Sequence, residues 1–532
     1  MQQTVDTQLS PTRDEQPPRQ RWLGRVDPYL VLAAGLVVWS VAVAVQHTWT
    51  TDFLLHVGTV RALSRDLLTP PDPMTGAGSS SPYYSPLIWL LAATVRGTGA
   101  APTAVFGVLA VLNTVLLVWS FRRFCRWFVT SAGGAAVALL ATLFLWGIRP
   151  PVWSGFLSLR SLAEVVAYPS TTAFGLMLLA LDRLLHHRRH RDLTSLVTFG
   201  LLGATITLIH SFTAVNTAVG ALAVLLCAGP RWRAADLLRV ALVAAGAFLL
   251  VAAWPFTTVG ELLTGAPEFV EIHRQLRDGM LDPIQLSCAY GLLGLVPLAL
   301  RLRDQRRDPL VLIFAVAVVA LAVGFAGQYH LLRVMPLAML SLHVAFGAFV
   351  AGAVGRFGDE QSVPVIRPAA RRALAALAAV VFLAGLAVDV TPLNGFLGAV
   401  PVRALPPAAQ AQASTPSLSG PSHRYDQISR YVPEGATILT DQRTSDRHLN
   451  WLGYFTVNPG WPDPWIGDEK ARAADRRRLR TATATPAERG AVAARWDADC
   501  VLITATKAVT GPDAVAGYRQ VRADRSMTLY CR

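Results

Sequence analysis

The sequence predicts an all-α polytopic membrane domain followed by a C-terminal α/β domain on the outer side of the membrane. Hydrophobic residues make up 53% of the 532 residues and charged residues only 15%, whereas soluble domains carry about 25% charged residues. Apolar runs long enough to cross a bilayer alternate with short basic loops. A Pro/Ala/Ser-rich stretch at 404–422 then leads to a more polar end, so the pattern argues against an ordinary soluble enzyme.

The net charge of +14 arises from 48 Lys and Arg residues against 34 Asp and Glu residues. In a soluble chain this excess would indicate a nucleic-acid partner. Here the basic residues lie between apolar runs, where they set membrane topology. The mean hydropathy of +0.40 supports the same interpretation, and we expect no nucleic-acid partner.

Eleven apolar runs are candidate membrane spans. Residues 1–27 form a polar tail, and the first run, Pro28 to Gln46, exceeds the roughly 7–15 apolar residues of a signal-peptide core. We therefore expect an uncleaved first helix. The other runs are 104–121, 133–148, 165–185, 193–209, 212–228, 237–254, 284–300, 310–326, 331–354 and 373–388. Together they predict about eleven transmembrane helices within a domain at 28–390.

The basic loops alternate along the chain and predict its orientation. Arginine clusters lie at 19–25, 122–126, 186–191, 231–239, 301–307 and 356–372. The positive-inside rule places these clusters, and with them the N-terminus, in the cytoplasm. The long first loop at 48–103 and the C-terminal end then lie outside. This scheme requires the short run at 86–95 to be a re-entrant or interfacial helix, because a full crossing would move the Arg122 cluster outside.

A linker at 391–424 precedes a domain at 425–532. Within this domain the stretches 435–440, 500–505 and 527–531 have the character of buried strands.

A helix is predicted between the first two of those stretches, 435–440 and 500–505. Thr485 and Glu488 form a capping box with proline at the first helical position, and the helix should run towards Arg495. Cys500 and Cys531 lie in two strand-like stretches. An oxidising compartment would let them pair, but their spacing alone leaves the pairing open.

The first outer loop carries the most informative polar residues. Asp52, His56 and Thr59 share one stripe of a partly amphipathic helix, beside an apolar stripe that includes Phe53 and Val57. Asp52 stands at the start of this helix, where the helix dipole alone would also favour an acid.

Arg333 falls just inside an apolar run, where a forked, permanently charged group could hold a phosphate. Snorkelling to the interface is the alternative interpretation. The further candidates for substrate contacts on the predicted outer side are His56, Arg61, Tyr83, Tyr84, Glu164, His210 and His330. Of these, His210 also fits a satisfied turn residue.

Several familiar sites are absent from the sequence or disfavoured. No G-x-x-x-x-G-K-[ST], H-E-x-x-H or G-x-S-x-G motif occurs, which argues against a nucleotide site and against zinc or serine hydrolysis. A divalent cation stays an open alternative. Asp463, Asp468 and Glu469 lie near Trp461 without EF-hand spacing, so we interpret them as helix caps and surface charges.

The pattern resembles the C-type superfamily of integral-membrane glycosyltransferases, which includes bacterial mannosyl- and arabinofuranosyltransferases. Asp52 stands where these enzymes have an acidic residue in the first outer loop. Ser81-Pro-Tyr-Tyr-Ser-Pro-Leu87, Tyr431-Val-Pro-Glu-Gly-Ala-Thr-Ile-Leu-Thr440 and Trp496-Asp-Ala-Asp-Cys-Val-Leu-Ile503 resemble the loop and soluble-domain texture of the family. The chain has no paired acid after Asp52, which weakens assignment to a subfamily.

The resemblance implies transfer of a sugar from a polyprenyl-phosphate donor to a cell-envelope glycan or glycoconjugate, with inversion. Asp52 would be the base and Arg333 would stabilise the departing phosphate. The sequence leaves open a ligase or polymerase that uses a diphosphate lipid carrier. It also leaves open a transporter and a non-catalytic protein that binds envelope polymer.

Overall fold

A computed structural model provides the structure of the chain. It describes residues 27–46, 51–78, 81–129, 131–227, 229–256, 284–354, 423–461, 468–504, 511–524 and 527–532. It also describes shorter pieces within 273–278 and 369–387, together with residues 463 and 466. Residues 391–422 of the predicted linker, and residues 374, 375, 378, 381 and 388 of the last predicted span, lie outside the described residues.

Helices form at each of the first ten predicted runs. In chain order, the helices up to residue 252 are α1 Pro28–Gln46, α2 Thr51–Arg65, α3 Pro86–Thr98, α4 Pro102–Cys125, α5 Ala132–Phe144, α6 Leu159–Val165, α7 Pro169–His190, α8 Leu193–Ile209, α9 Ser211–Leu226 and α10 Ala234–Ala252. They are followed by α11 Ile284–Cys288, α12 Leu295–Asp304, α13 Pro309–Phe325 and α14 Met335–Val354. A short 3-10 helix at Tyr329–Val334 leads directly into α14.

Within the described residues, four helical segments are long and apolar enough to cross a membrane, or five if a bent pair counts as one span. The four are Pro28–Val45, Pro102–Cys125, Ala234–Ala252 and Tyr329–Gly352. The chain is therefore a multi-pass membrane protein, while the predicted count of eleven stays a prediction. The bent pair, Gly291–Asp304 and Pro309–Phe325, turns by 119°.

The short run at 86–95, within the long first loop, forms α3. Ser85 caps its first turn by accepting a hydrogen bond from the Ile88 amide, and Gly99 ends it at φ 70°. With 13 residues, α3 is about 20 Å long, which is less than the roughly 30 Å hydrocarbon core of a bilayer. This length agrees with the prediction of a helix that does not cross completely.

Helix α2 buries the apolar stripe that its sequence predicts. Phe53, Val57 and Val60 are fully buried, and Phe53 contacts Phe106 of α4 edge-on, with their ring centroids 5.2 Å apart. Packing on one face therefore holds α2 against the membrane helices. The polar stripe with Asp52 and His56 is left on the neighbouring face.

A five-stranded sheet forms the centre of the C-terminal region. Its strands are β1 Thr437–Thr440, β2 Phe455–Thr456, β3 Cys500–Ile503, β4 Arg519–Ala523 and β5 Thr528–Cys531, in the spatial order β2-β1-β3-β5-β4. The central pair β1–β3 is parallel, whereas β5 runs antiparallel to β3. The three predicted strands are all present, and β2 and β4 are additional.

Three helices accompany this sheet: α15 Arg443–Leu452, α16 Glu469–Arg480 and α17 Pro486–Arg495. The predicted capping box opens α17, because Thr485 and Glu488 cap each other's backbone amides. The pairing that the sequence left open is also present: Cys500 and Cys531 face each other across β3 and β5 and form a disulfide.

Candidate functional site

A cavity of about 380 Å³ opens where the first outer loop, the membrane helices and the C-terminal region meet. The membrane-domain side contributes Asp52, Leu55, His56, Pro82, Tyr83, Ser85, Ile88, Trp153, Ser154, Tyr168, Pro169, Ser170, Thr207, Leu208, Ile209, His210, Ser211, Phe212, His273 and Arg333. The C-terminal region contributes Arg443, Arg447 and Trp461. Two residues that are 281 positions apart in the chain, Asp52 and Arg333, thus line one cavity.

Asp52 enters the cavity from the first turn of α2. Its Oδ1 accepts a hydrogen bond from the indole N–H of Trp461 at 3.0 Å. The next residue, Phe53, packs against Trp451 of α15, with ring centroids 5.5 Å apart. Phe53 therefore anchors the first turn of α2, and the adjacent Asp52 presents its carboxylate to the cavity.

Arg333 is 4% exposed and its guanidinium lies between two aromatic rings. The centroid of Trp153 is 5.3 Å from its Cζ and that of Phe212 is 4.8 Å away. The Nη2 donates to Ser154 Oγ at 3.0 Å, while Nη1 is buried without a hydrogen-bond partner in the described structure. Since a buried cationic donor without an acceptor is costly, this geometry favours binding of an anion.

His210 lies between α8 and α9 and forms a chain of contacts with Arg333. The Thr213 amide donates to His210 Nδ1 at 3.2 Å, so in the neutral ring the proton is on Nε2. That nitrogen lies 3.4 Å from Ser154 Oγ, which also accepts from Arg333. Ser154 is thereby left free to donate its own hydroxyl proton into the cavity.

Two of the three histidines that line the cavity, His56 and His210, are neutral near pH 7. Burial lowers the pKa of His56 to about 4, against the opposing charge of Asp52. Burial lowers the pKa of His210 well below its usual value, and the nearby charge of Arg333 adds to this effect. Apart from His273, the charged cavity residues are therefore Asp52 and three arginines.

Arg443 and Arg447 are functional candidates that the sequence analysis did not identify. They lie four residues apart on α15, and the Nε of each donates to the carbonyl oxygen of Gly460, at 3.0 Å and 2.9 Å. The sequence signal was the arginine pair at helical spacing on an amphipathic helix. It could not be assigned because nothing in the sequence shows that α15 faces the first outer loop.

Four predicted substrate-contact residues do not line the cavity. Arg61 faces Glu434 with an N–O distance of 3.9 Å. The Tyr84 hydroxyl donates to the carbonyl oxygen of Pro71, and the ring packs against Phe256. Glu164 and His330 are half-buried elsewhere. The neighbouring residue Tyr83 does line the cavity.

The interpretation of Asp463 as a surface charge is wrong. Asp463 is 1% exposed, beside the equally buried Asp72 of the first outer loop. Burial raises the pKa of Asp72, against hydrogen bonds from Thr75 and Met74. The sequence places these two acids 391 positions apart, and only docking of the C-terminal region brings them together. Among the described residues, no group of three or more His, Cys, Asp or Glu side chains could hold a metal ion.

Comparison with known proteins identifies the fold. No protein-family model and no curated protein sequence matches the chain. The chain is similar in structure to the arabinofuranosyltransferase AftD from mycobacteria, with a TM-score of 0.56 and 15% identity over 94% of this chain. The chain therefore shares its fold with this arabinofuranosyltransferase.

The chain spans 41% of the length of that AftD chain. It also matches the archaeal oligosaccharyltransferase AglB from Archaeoglobus fulgidus, with a TM-score of 0.47, 12% identity and coverage of 89% of this chain and 69% of that one. At these identities the likeness to C-type glycosyltransferases concerns the fold. The chemistry has to be argued from the cavity.

Proposed function

We propose that the chain transfers a sugar from a polyprenyl-phosphate donor to a cell-envelope acceptor at the outer face of the membrane. The observation that carries this proposal is that Asp52 and Arg333 line one cavity at the end of the membrane helices. A carboxylate and an arginine with an unpartnered N–H are the groups that such a transfer needs for proton removal and for the leaving phosphate.

The proposed reaction is a single inverting displacement. The acceptor hydroxyl loses its proton to Asp52 while its oxygen bonds to the anomeric carbon. The bond between that carbon and the phosphate oxygen breaks at the same time, and both its electrons leave with the polyprenyl phosphate. Arg333 Nη1 and the Ser154 hydroxyl are placed to donate to the phosphate oxygens on which negative charge grows.

The charges of the cavity support an anionic lipid donor. With His56 and His210 neutral, the three arginines and the one carboxylate contribute a net charge of about +2 to the lining. A polyprenyl-phosphate sugar carries one negative charge, and the departing phosphate monoester carries close to two near neutral pH. Because Asp52 takes up the acceptor proton during transfer, the charge of the lining becomes more positive as the phosphate becomes more negative, which favours the transition state over the ground state.

A panel of lipid donors tests this proposal. The purified full chain in lipid nanodiscs would be incubated with radiolabelled polyprenyl-phosphate sugars and cell-envelope acceptors. We expect label from one polyprenyl-phosphate sugar to appear in the acceptor with the opposite anomeric configuration. Absence of transfer from every donor in the panel, or retention of configuration, would overturn the proposal.

The arginine content of the cavity also favours a second candidate, a ligase or polymerase that uses a diphosphate lipid carrier. Such an enzyme needs two or more arginines around one outer pocket, and Arg333, Arg443 and Arg447 all line this one. Polyprenyl-diphosphate glycans in the same panel separate the two candidates. Transfer from the diphosphate lipids and none from the monophosphate lipids would replace the first proposal by the second.

A further inference from the structure

The C-terminal region docks on the first outer loop through a close interface. The backbone of α2 approaches α15 at Gly58, where a Cβ atom would lie 2.7 Å from the carbonyl oxygen of Asn450. The side chain of Asn450 donates to the carbonyl oxygen of Met74 at 2.9 Å, in the same outer loop. An ion pair between Arg65 and Glu434 at 2.6 Å lies at the other end of α2. These contacts fix α2 against the C-terminal region.

Trp461 reaches from this docked region to the candidate base. The residue is 5% exposed, and its indole N–H donates to Asp52 Oδ1 at 3.0 Å. Among the described residues, it is the one donor that the structure places on this carboxylate. Because an indole has a single N–H, it fixes one carboxylate oxygen and leaves the other for the acceptor hydroxyl.

The indole ring is itself held in place. The Arg447 guanidinium lies over the ring, with Cζ 5.0 Å from the centroid. Its Nε donates to the carbonyl oxygen of Gly460, the residue that precedes Trp461 in the chain. A Cβ atom on Gly460 would lie 3.0 Å from Arg447 Cγ, so the close approach of Arg447 to this backbone depends on glycine, which has no Cβ atom. The arginine thus clamps both the ring and the backbone that carries it.

We infer that Trp461 is a positioning residue, which orients the Asp52 carboxylate so that its second oxygen can take the acceptor proton. The inference rests on the proposed function, and it makes the C-terminal region part of the reaction site. Misplacement of a reacting group by about 1 Å can cost on the order of 100-fold in rate. Loss of the N–H should therefore lower kcat and leave the KM for the lipid donor unchanged, because the donor phosphate is bound by Arg333.

Trp461→Phe removes the N–H and retains an aromatic ring under Arg447. The chain offers a closely matched control in the same region. Trp496 donates its indole N–H to Asp475 Oδ2 at 2.9 Å, and Arg472 lies over its ring at 4.3 Å. Trp496 is not among the residues that line the cavity. Trp496→Phe therefore removes the same kind of bond from the C-terminal region without touching Asp52.

The kinetic experiment compares both variants with the wild-type chain in nanodiscs, using the donor that the panel identifies. We expect Trp461→Phe to lower kcat by about 10- to 100-fold at constant donor KM, and Trp496→Phe to retain wild-type kcat. Equal kcat values for Trp461→Phe and wild type, or equal losses in the two variants, would overturn the inference.

A second measurement needs no substrate. In protein labelled with ¹⁵N-tryptophan, the resonance missing from Trp461→Phe is the indole of Trp461, and this resonance should shift in Asp52→Asn. It should stay in place in Asp236→Asn, because Asp236 lies in the first turn of α10 and is not among the residues that line the cavity. An unchanged resonance in Asp52→Asn would overturn the contact. If the shift occurs but the wild-type chain transfers no sugar from any lipid, the contact holds, while its catalytic role falls with the proposed function.

Discussion

Two buried arginines at different ends of the helical domain differ in what their guanidinium groups bind. Arg188, in the last turn of α7, donates from Nη1 to the carbonyl oxygen of Pro230 and from Nη2 to that of Cys227, at 2.6 Å and 3.1 Å. It stacks on Trp232 at 4.6 Å. Arg333 also stacks on aromatic rings, but its Nη1 has no partner and it lines a cavity.

The difference separates a structural arginine from a ligand-binding one. Both lie near helix ends in apolar surroundings, and both follow the rule that a buried charge needs support. In Arg188 backbone carbonyls accept from both terminal nitrogens and only the inner Nε lacks a partner, so the residue ties the end of α7 to the loop between α9 and α10. In Arg333 part of the support is missing from the chain itself, which leaves a donor for a bound anion. Three predictions test or sharpen this contrast.

The largest effect is expected in a comparison of two carboxylates, Asp52 of α2 and Asp236 of α10. Asp52→Asn should lower glycosyl transfer by about 100- to 10,000-fold, the range of a general base, with little change in thermal stability. Asp236 is the matched control, because it is 4% exposed and pairs with Arg191 and Arg239. Asp236→Asn should destabilise the fold by roughly 1–3 kcal/mol and leave transfer per folded molecule unchanged. Wild-type turnover by Asp52→Asn would remove the proposed base.

A smaller effect is expected from the arginines themselves. Arg333→Ala should reduce use of the lipid donor by about 100- to 1,000-fold, the usual loss when a donor to a developing negative charge is removed. Arg188→Ala should instead lower the free energy of unfolding by about 1–3 kcal/mol through the carbonyls it leaves unpaired. Initial rates and thermal midpoints of both variants provide the measurement. Similar kinetic losses in the two variants would show that the contrast between them is wrong.

The smallest effect concerns pH. His56 binds a proton below about pH 4 in the folded chain, because burial lowers its pKa despite the charge of Asp52, and below about pH 6.5 in the unfolded chain. Its contribution to stability is therefore complete above pH 6.5 and is lost as the pH falls from there towards 4. The thermal midpoint should fall across this range, and less steeply in His56→Gln. Identical slopes for variant and wild type would contradict the prediction.

The sequence could predict local structure wherever short-range rules decide it. The capping box at Thr485 forms, the apolar stripe of α2 is buried, and the short run at 86–95 becomes a 13-residue helix. Helical spacing, caps and apolar length act over a few residues, so they are readable without a fold. Of the candidate site, Asp52, His56, Tyr83, His210 and Arg333 were selected because the alternation of basic loops maps them to one side of the membrane, and they share the cavity.

The tertiary structure alone decided which polar residues meet. Arg61 and Tyr84 lie beside the predicted site in the chain but bind Glu434 and Pro71 instead. Conversely, Trp461 and Arg447 do reach the cavity, although the sequence predicts only that they belong to a tethered C-terminal domain.

By itself, then, the sequence determined a multi-pass helical chain with an acid at the start of an outer helix and an arginine near a helix end. Only the docking of α15 on α2, through Gly58 and Asn450, decided that this acid is held by an indole from the far end of the chain. The physical reason is that periodicity encodes which face of a helix is buried, whereas the partner of that face depends on shape complementarity between distant segments.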